Sequence, residues 1–268
     1  MSTPSKIKLV AILDSGHTLA PSFLMNRRTF HLRTNRIPAL VFLLHHDDLG
    51  YILFDTGYGP AFKAATKPFL DRFYRWVTPV KMKPEQLVIE QLKQHGLTAA
   101  DIKLVILSHL HADHVAGLPD FPQAKLLYPK AEGRYVNDLK HFDQVRHGYL
   151  RNLLVQVNSQ GQDLAGYQKQ APFDEGGLTV VDLPGHSRGM VGLRFVDQST
   201  QEEILLAADA AWTHAEIDEV QNGPLRIAGI IMYSWPLQKE SLKKVRAIQA
   251  EGVRVILSHE ERESQWFN

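Results

Sequence analysis

Residues 103–117 read Lys103-Leu104-Val105-Ile106-Leu107-Ser108-His109-Leu110-His111-Ala112-Asp113-His114-Val115-Ala116-Gly117. The apolar, partly β-branched run 103–107 is that of a short buried strand, and 108–117 follows it as a loop. Three imidazoles and a carboxylate then fall within six residues. Imidazole nitrogen and carboxylate oxygen are ligands that suit Zn²⁺, and equally Fe or Mn. On an extended segment residues i and i+2 project the same way, so His109 and His111 can reach one ion. Asp113 and His114 come after the chain turns and can face a second ion beside it. A His-rich surface loop is the competing reading. A lone His-x-His would leave it open, but the full pattern directly behind a buried strand counts against it, because sites collect at strand ends in α/β sheets.

Three more ligand-type residues follow apolar runs. His186 comes just past 178–183, Asp209 after Ile204-Leu205-Leu206-Ala207-Ala208, and His259 after Val255-Ile256-Leu257-Ser258. Singly, each reads as a hydrogen-bonded or exposed residue. With the 109–114 cluster they make five His and two Asp, about the number that a two-metal site with one bridging carboxylate requires. Strands are also expected at 8–13, 39–45, 51–54, 125–128 and 191–196. Helices are expected at 61–77, where Phe62, Phe69, Phe73 and Trp76 recur near helical spacing, at 84–95 and at 238–250, where Leu242, Val245 and Ile248 share a face. Residues 159–177, rich in Gln and Gly, read as a surface connection. Glu260-Glu261-Arg262 reads as a charged, solvated tail. Strands in both halves followed by helices indicate an α/β layered architecture, and no boundary divides 1–268 into separate domains.

The chain has 268 residues, 44% of them hydrophobic and 22% charged, which is enough to bury a core. Thirty Lys+Arg against 29 Asp+Glu leave a formal charge of +1, without the basic excess that marks nucleic-acid binding. There is no cysteine, hence no disulfide, thiolate ligand or Cys nucleophile. No apolar run approaches the about 18 residues of a membrane span. The first residues show no secretory pattern, so the expectation is a cytoplasmic protein acting on a small molecule, with neither membrane nor nucleic acid as partner.

His109-x-His111-x-Asp113-His114, followed in order by His186, Asp209 and His259, resembles the metallo-β-lactamase superfamily, and Asp55 in Leu53-Phe54-Asp55-Thr56-Gly57 matches the acidic motif that family carries on an early strand. The resemblance spans about 39–259. It implies an αββα sandwich with a dinuclear metal site at one edge. His109, His111 and His186 would hold one metal, Asp113, His114 and His259 the other, and Asp209 would bridge. Asp55 would orient the ligand loop through hydrogen bonds; a strand-end turn cap is its alternative. True β-lactamases of the family lack the bridging Asp, and many use a Cys ligand. The layout here is more similar to N-acyl homoserine lactone lactonases, from Ile37-Pro38-Ala39 leading into a hairpin to Asp209-Ala210-Ala211. It departs from them at Trp212, where those enzymes usually carry Tyr, and at Arg188, where they carry Pro.

The implied cofactor is a pair of divalent cations, Zn foremost. Two such ions lower the pKa of a bridging water from 15.7 to about 7. The resulting hydroxide would open an ester or lactone, N-acyl homoserine lactone being one candidate. Asp113 would shuttle the proton to the leaving oxygen, or would serve as a ligand only. Trp212 and Tyr233 are candidates for an apolar substrate pocket, with core packing as the alternative. The amphipathic helix at 62–76 would pack on the sandwich, cover the site or join a homodimer. A phosphodiesterase, for which Arg188 is the one feature, and a thioesterase of the glyoxalase II type are alternative chemistries on the same metal set.

Overall fold

The computed structural model describes residues 5–21, 34–67, 79–129, 131–132, 164–167, 177–219 and 232–261. It divides into two compact units that interleave along the chain, one of Lys8–Thr18 and Ala39–Gln168, the other of Met1–Ile7, Leu19–Pro38 and Lys169–Asn268.

The first unit is organised on a seven-stranded sheet of order β4-β1-β2-β3-β5-β6-β7. Its strands are β1 (Ile7–Pro21), β2 (Thr34–His46), β3 (Gly50–Phe54), β4 (Val80–Lys81), β5 (Ile102–Ile106), β6 (Lys125–Pro129) and β7 (Leu164–Tyr167). The β2–β3 hairpin is antiparallel, and β3, β5, β6 and β7 pair in parallel. Leu40 to Leu44 are at most 1% exposed although alternate side chains point to opposite faces, which is why this strand reads as an unbroken apolar run. Leu43, Leu53, Val105 and Leu126 join Leu92, Leu118 and Phe121 in one core. Of the helix expected over 61–77, α1 (Pro60–Ala65) is described; Phe69, Phe73 and Trp76 lie outside the described residues. The helix expected over 84–95 is a 3₁₀ turn (Pro84–Gln86) followed by α2 (Val88–Gln94). The break is at Leu87, whose ψ of 134° is not helical. Gly96, at φ +72°, ends α2. Two expectations are corrected here. The 108–117 segment is not all loop but holds a short helix, α3 (Ala112–Val115), and 159–177 is not only a connection, because β7 adds to the sheet edge beside β6.

The second unit carries a four-stranded sheet, order β11-β10-β9-β8, made of β8 (Thr179–Asp182), β9 (Val191–Val196), β10 (Glu203–Leu206) and β11 (Arg254–Ile256). Its β8–β9 and β9–β10 pairs are antiparallel and β10–β11 is parallel. Helix α5 (Trp235–Ala250) buries Leu242, Val245 and Ile248 as expected, along with two polar residues on the same stripe, Gln238 and Ser241. A short helix, α4 (His214–Glu219), precedes it. No described helix is long and apolar enough to cross a membrane.

Candidate metal centre

In the first unit the ligand loop hangs from the ends of β3 and β5. Phe54 and Ile106 are register partners, so Asp55 and Ser108 emerge side by side. Asp55 is fully buried and holds a left-handed backbone (φ 64°), a conformation that Asp tolerates better than most residues. Its Oδ1 accepts from the Ser108 backbone N–H at 2.7 Å, and its Oδ2 from the Ser108 hydroxyl at 2.8 Å. The same Oδ2 lies 2.8 Å from His114 Nδ1. A carboxylate only accepts, so this contact puts the His114 proton on Nδ1 and leaves the Nε2 lone pair for a ligand role. The Ser108 hydroxyl spends its one proton on Asp55 and therefore accepts from His109 Nδ1 at 3.0 Å, which sets the same tautomer in His109. The His109 ring centroid is 4.5 Å from that of His111 and 4.1 Å from that of His114. Asp113 is 15% exposed at its side chain, with Oδ2 3.8 Å from His114 Nε2. Thr56 closes the loop by donating its N–H and its hydroxyl to the His114 carbonyl, at 2.8 and 2.9 Å. Gly117 permits that approach, since a Cβ there would sit 2.3 Å from the Thr56 carbonyl oxygen.

In the second unit, Leu206 and Ile256 are register partners on parallel strands. Asp209 and His259 each lie three residues beyond that pair, so strand pairing brings the segments that carry them together. His186 arrives on the turn after β8. Gly185, at φ +137°, lets this turn lie against α5, where a Cβ would meet the Gln238 backbone N at 2.2 Å. The turn is pinned by Tyr233 N–H to the His186 carbonyl (3.0 Å) and Ser234 N–H to the Gly185 carbonyl (2.9 Å). Asp209 Oδ2 is 3.2 Å from His186 Nε2 and 2.9 Å from His259 Nε2. His259 Nδ1 donates to the Pro38 carbonyl at 2.6 Å, so in the neutral ring Nε2 presents a lone pair to an anionic oxygen. A divalent cation resolves that opposition, because N and O ligands about 2.1 Å from one ion sit at such separations as neighbours in its coordination sphere. The donor set thus fits a divalent metal such as zinc. The seven ligands predicted from sequence fall into two groups, four in one unit and three in the other, and each group is assembled within its own unit.

Trp212 is half-buried between two ligands, its ring centroid 6.2 Å from that of His186 and 5.9 Å from that of His259. Tyr233 is 37% exposed, and the Arg188 guanidinium lies 5.0 Å from its ring centroid. Sequence reasoning missed three features of this unit. The first is Gln238, whose amide N–H₂ donates to the carbonyls of Ala210 at 2.6 Å and Asp209 at 3.3 Å. A polar residue on the apolar stripe of a predicted helix was the available signal. The second is Glu216, whose Oε2 accepts from the Trp212 backbone N–H at 3.3 Å and whose Oε1 has no hydrogen-bond partner among the described residues. Burial pushes its carboxyl up to about 7; the Trp212 N–H and the His259 ring pull the other way, and Asp209 and Glu260 push with the burial. The third is the pair of His214 Nδ1 and Glu260 Oε2 at 2.7 Å, with side chains 5% and 12% exposed. Glu260 is therefore not part of a solvated tail, which corrects the expectation at that residue; Glu261 is exposed as expected, and Arg262 lies outside the described residues.

The raised Glu216 value has a consequence for stability. A carboxyl that titrates near 4.5 unfolded and near 7 folded favours the folded state fully below pH 4.5, and that contribution is lost as pH rises through 7. In metal-free protein, Glu216→Gln should therefore gain about 2 to 3 kcal/mol over the parent between pH 4.5 and pH 8. Urea unfolding at several pH values checks this, and a pH-independent difference would refute it.

The pattern of the metallo-beta-lactamase superfamily matches residues 34–259. A probable metallo-hydrolase of Mycobacterium tuberculosis is 26% identical over 227 residues, 82% of this chain and 70% of that protein. The N-acyl homoserine lactonase AttM of Rhizobium radiobacter is 31% identical over 185 residues, 66% of each. Among solved structures, a quorum-quenching N-acyl homoserine lactone hydrolase superposes with a TM-score of 0.71 at 19% identity, over 99% of this chain and 96% of that one. AidC, a dizinc quorum-quenching lactonase, gives 0.67 at 17% identity over 96% and 92%. These likenesses show the metallo-β-lactamase fold, the αββα class expected from the sequence. With the family pattern covering the chain from β2 to the last ligand, the protein belongs to the metallo-beta-lactamase superfamily and is one of its metal-dependent hydrolases.

Proposed function

We propose that the chain opens the ester bond of a lactone, with an N-acyl homoserine lactone as the leading substrate, using a pair of divalent cations, most simply zinc. His109, His111 and His186 would hold one ion, Asp113, His114 and His259 the other, and Asp209 would be shared. The observation that carries this reading is the single oxygen of Asp209 lying 3.2 and 2.9 Å from two imidazole nitrogens, which supports a bridging role for this carboxylate. When bound, the ions supply Lewis acidity and make hydroxide available near neutral pH. The protein's own side chains do the rest. Asp55, through Ser108 and His114, keeps the ligand nitrogens aimed. Asp113, partly exposed beside His114, takes up a proton and returns it to the leaving alkoxide. Trp212 and Tyr233 offer apolar surface for the acyl chain, and Trp212 can donate a hydrogen bond but cannot accept a proton.

Relatives named lactonases, AttM and AidC among them, support the choice of lactone. The test is metal counting followed by turnover of a lactone, a thioester and a phosphodiester by one preparation. Two divalent ions per chain and a preference for lactone in kcat/KM of about tenfold or more are expected; tenfold is about 1.4 kcal/mol in the barrier. A phosphodiester preferred by that margin would overturn the reading and turn attention to Arg188.

A further inference from the structure

The His214–Glu260 pair is not used by any step above, yet it is buried where a polar pair needs a reason. His214 opens α4, five residues after Asp209, and the residue is 4% exposed. Nε2 donates to the carbonyl of Val255 in β11 at 3.2 Å, and Nδ1 meets Glu260 Oε2 at 2.7 Å. Those two anchors bracket His259, one four residues before it and the other immediately after it. One imidazole therefore ties the segment carrying Asp209 to both flanks of the segment carrying His259. Burying such a pair is costly in desolvation, and an apolar pair of the same volume would serve stability as well or better. What an apolar pair would not supply is direction. A metal ligand must be held within about 0.5 Å of its working position, and a hydrogen-bonded ring fixed at both nitrogens does that where methyl contacts leave rotation free.

We infer that His214 and Glu260 are positioning residues for the second cation, holding the segment that carries His259 in place. This inference rests on the two-ion reading above. If it holds, loosening the pair weakens the ion held by Asp113, His114 and His259 and leaves the ion held by His109, His111 and His186 largely in place. A purely structural pair would instead weaken both ions together, in step with the loss of fold stability.

The experiment uses the zinc-loaded protein as purified. The parent, His214→Leu, Glu260→Ala and Glu260→Gln are challenged with rising chelator concentration, and the zinc retained per chain is counted beside the melting temperature and the kcat and KM for a lactone. The first two variants should release one of two zinc ions at a chelator strength about 10- to 100-fold lower than the parent, the range typical of residues that orient ligands. The other ion should be retained as in the parent, and kcat should fall with KM little changed. Glu260→Gln should restore retention, because its amide N–H₂ can donate to His214 Nδ1 while Nε2 keeps the Val255 carbonyl. Should His214→Leu fail to fold, Glu260→Ala and Glu260→Gln still decide the matter. Unchanged retention of both ions in Glu260→Ala, equal weakening of both, or no rescue by Glu260→Gln would overturn the proposal. A parent that carries fewer than two ions would sink the two-ion reading itself, and this inference with it; a normal parent with unresponsive variants would sink this inference alone.

Discussion

Asp209→Ala should lower kcat/KM for the lactone by at least about 100-fold and leave the purified protein with one zinc ion or none. Even a residue that only orients a metal ligand is worth about 10- to 100-fold, and a carboxylate shared by two ions contributes to both. The structure adds a thermodynamic signature. Asp209 is 2% exposed, so its carboxylate is an expensive buried anion with imidazoles on two sides. Removing it relieves metal-free protein of that charge, and the metal-free melting temperature should stay level or rise. In metal-containing buffer the ordering reverses, because the parent gains the binding free energy of its ions, about 4 kcal/mol for an ion present at a thousand times its Kd, and the variant does not. Atomic absorption and thermal melts with and without chelator read both effects. Full activity with full metal content in Asp209→Ala would contradict the bridging role.

Asp55→Ala should be the more damaging change to the fold. Three donors converge on this carboxylate, the Ser108 N–H and hydroxyl and His114 Nδ1, all buried. Removing one side of a buried charged network costs about 3 to 5 kcal/mol. Alanine in a left-handed conformation adds about 1 kcal/mol more. Asp55→Asn keeps the shape and tolerates the backbone, but its amide offers one acceptor and one donor where three donors arrive, so a mismatch remains. We expect Asn to fold with metal affinity lowered about tenfold, and Ala to be recovered poorly or with a strongly lowered melting temperature. An Ala variant with parental stability and metal content would show that Asp55 only caps the turn.

The candidate ligands were legible in the sequence because each follows directly on an apolar strand run, and the 109–114 cluster is local in sequence. What Asp55 reaches was not legible from local sequence. Asp55-Thr56-Gly57 reads as a turn, and only the Phe54–Ile106 register carries its carboxylate to Ser108 and His114. Gln238 was half-legible, as a polar residue on the stripe that holds Leu242, Val245 and Ile248. His214 and Glu216 were not, because α4 has six residues, too few to show a period, and their burial comes from tertiary packing. Glu260 was misread because charge runs are solvated by default and the histidine that buries it lies 46 residues away in sequence. The strand Leu164–Tyr167 escaped for a related reason, since its partner β6 lies well upstream and its own residues carry little β signal.

The equal three-residue overhangs that carry Asp209 and His259 past the Leu206–Ile256 pair constrain how this chain can vary. Side chains within the overhangs are free to change so long as they pack, but their lengths are not, since inserting or deleting one residue on either would carry one ligand away from the other. Changes of length are left to the ends of these strands that lie away from Asp209 and His259.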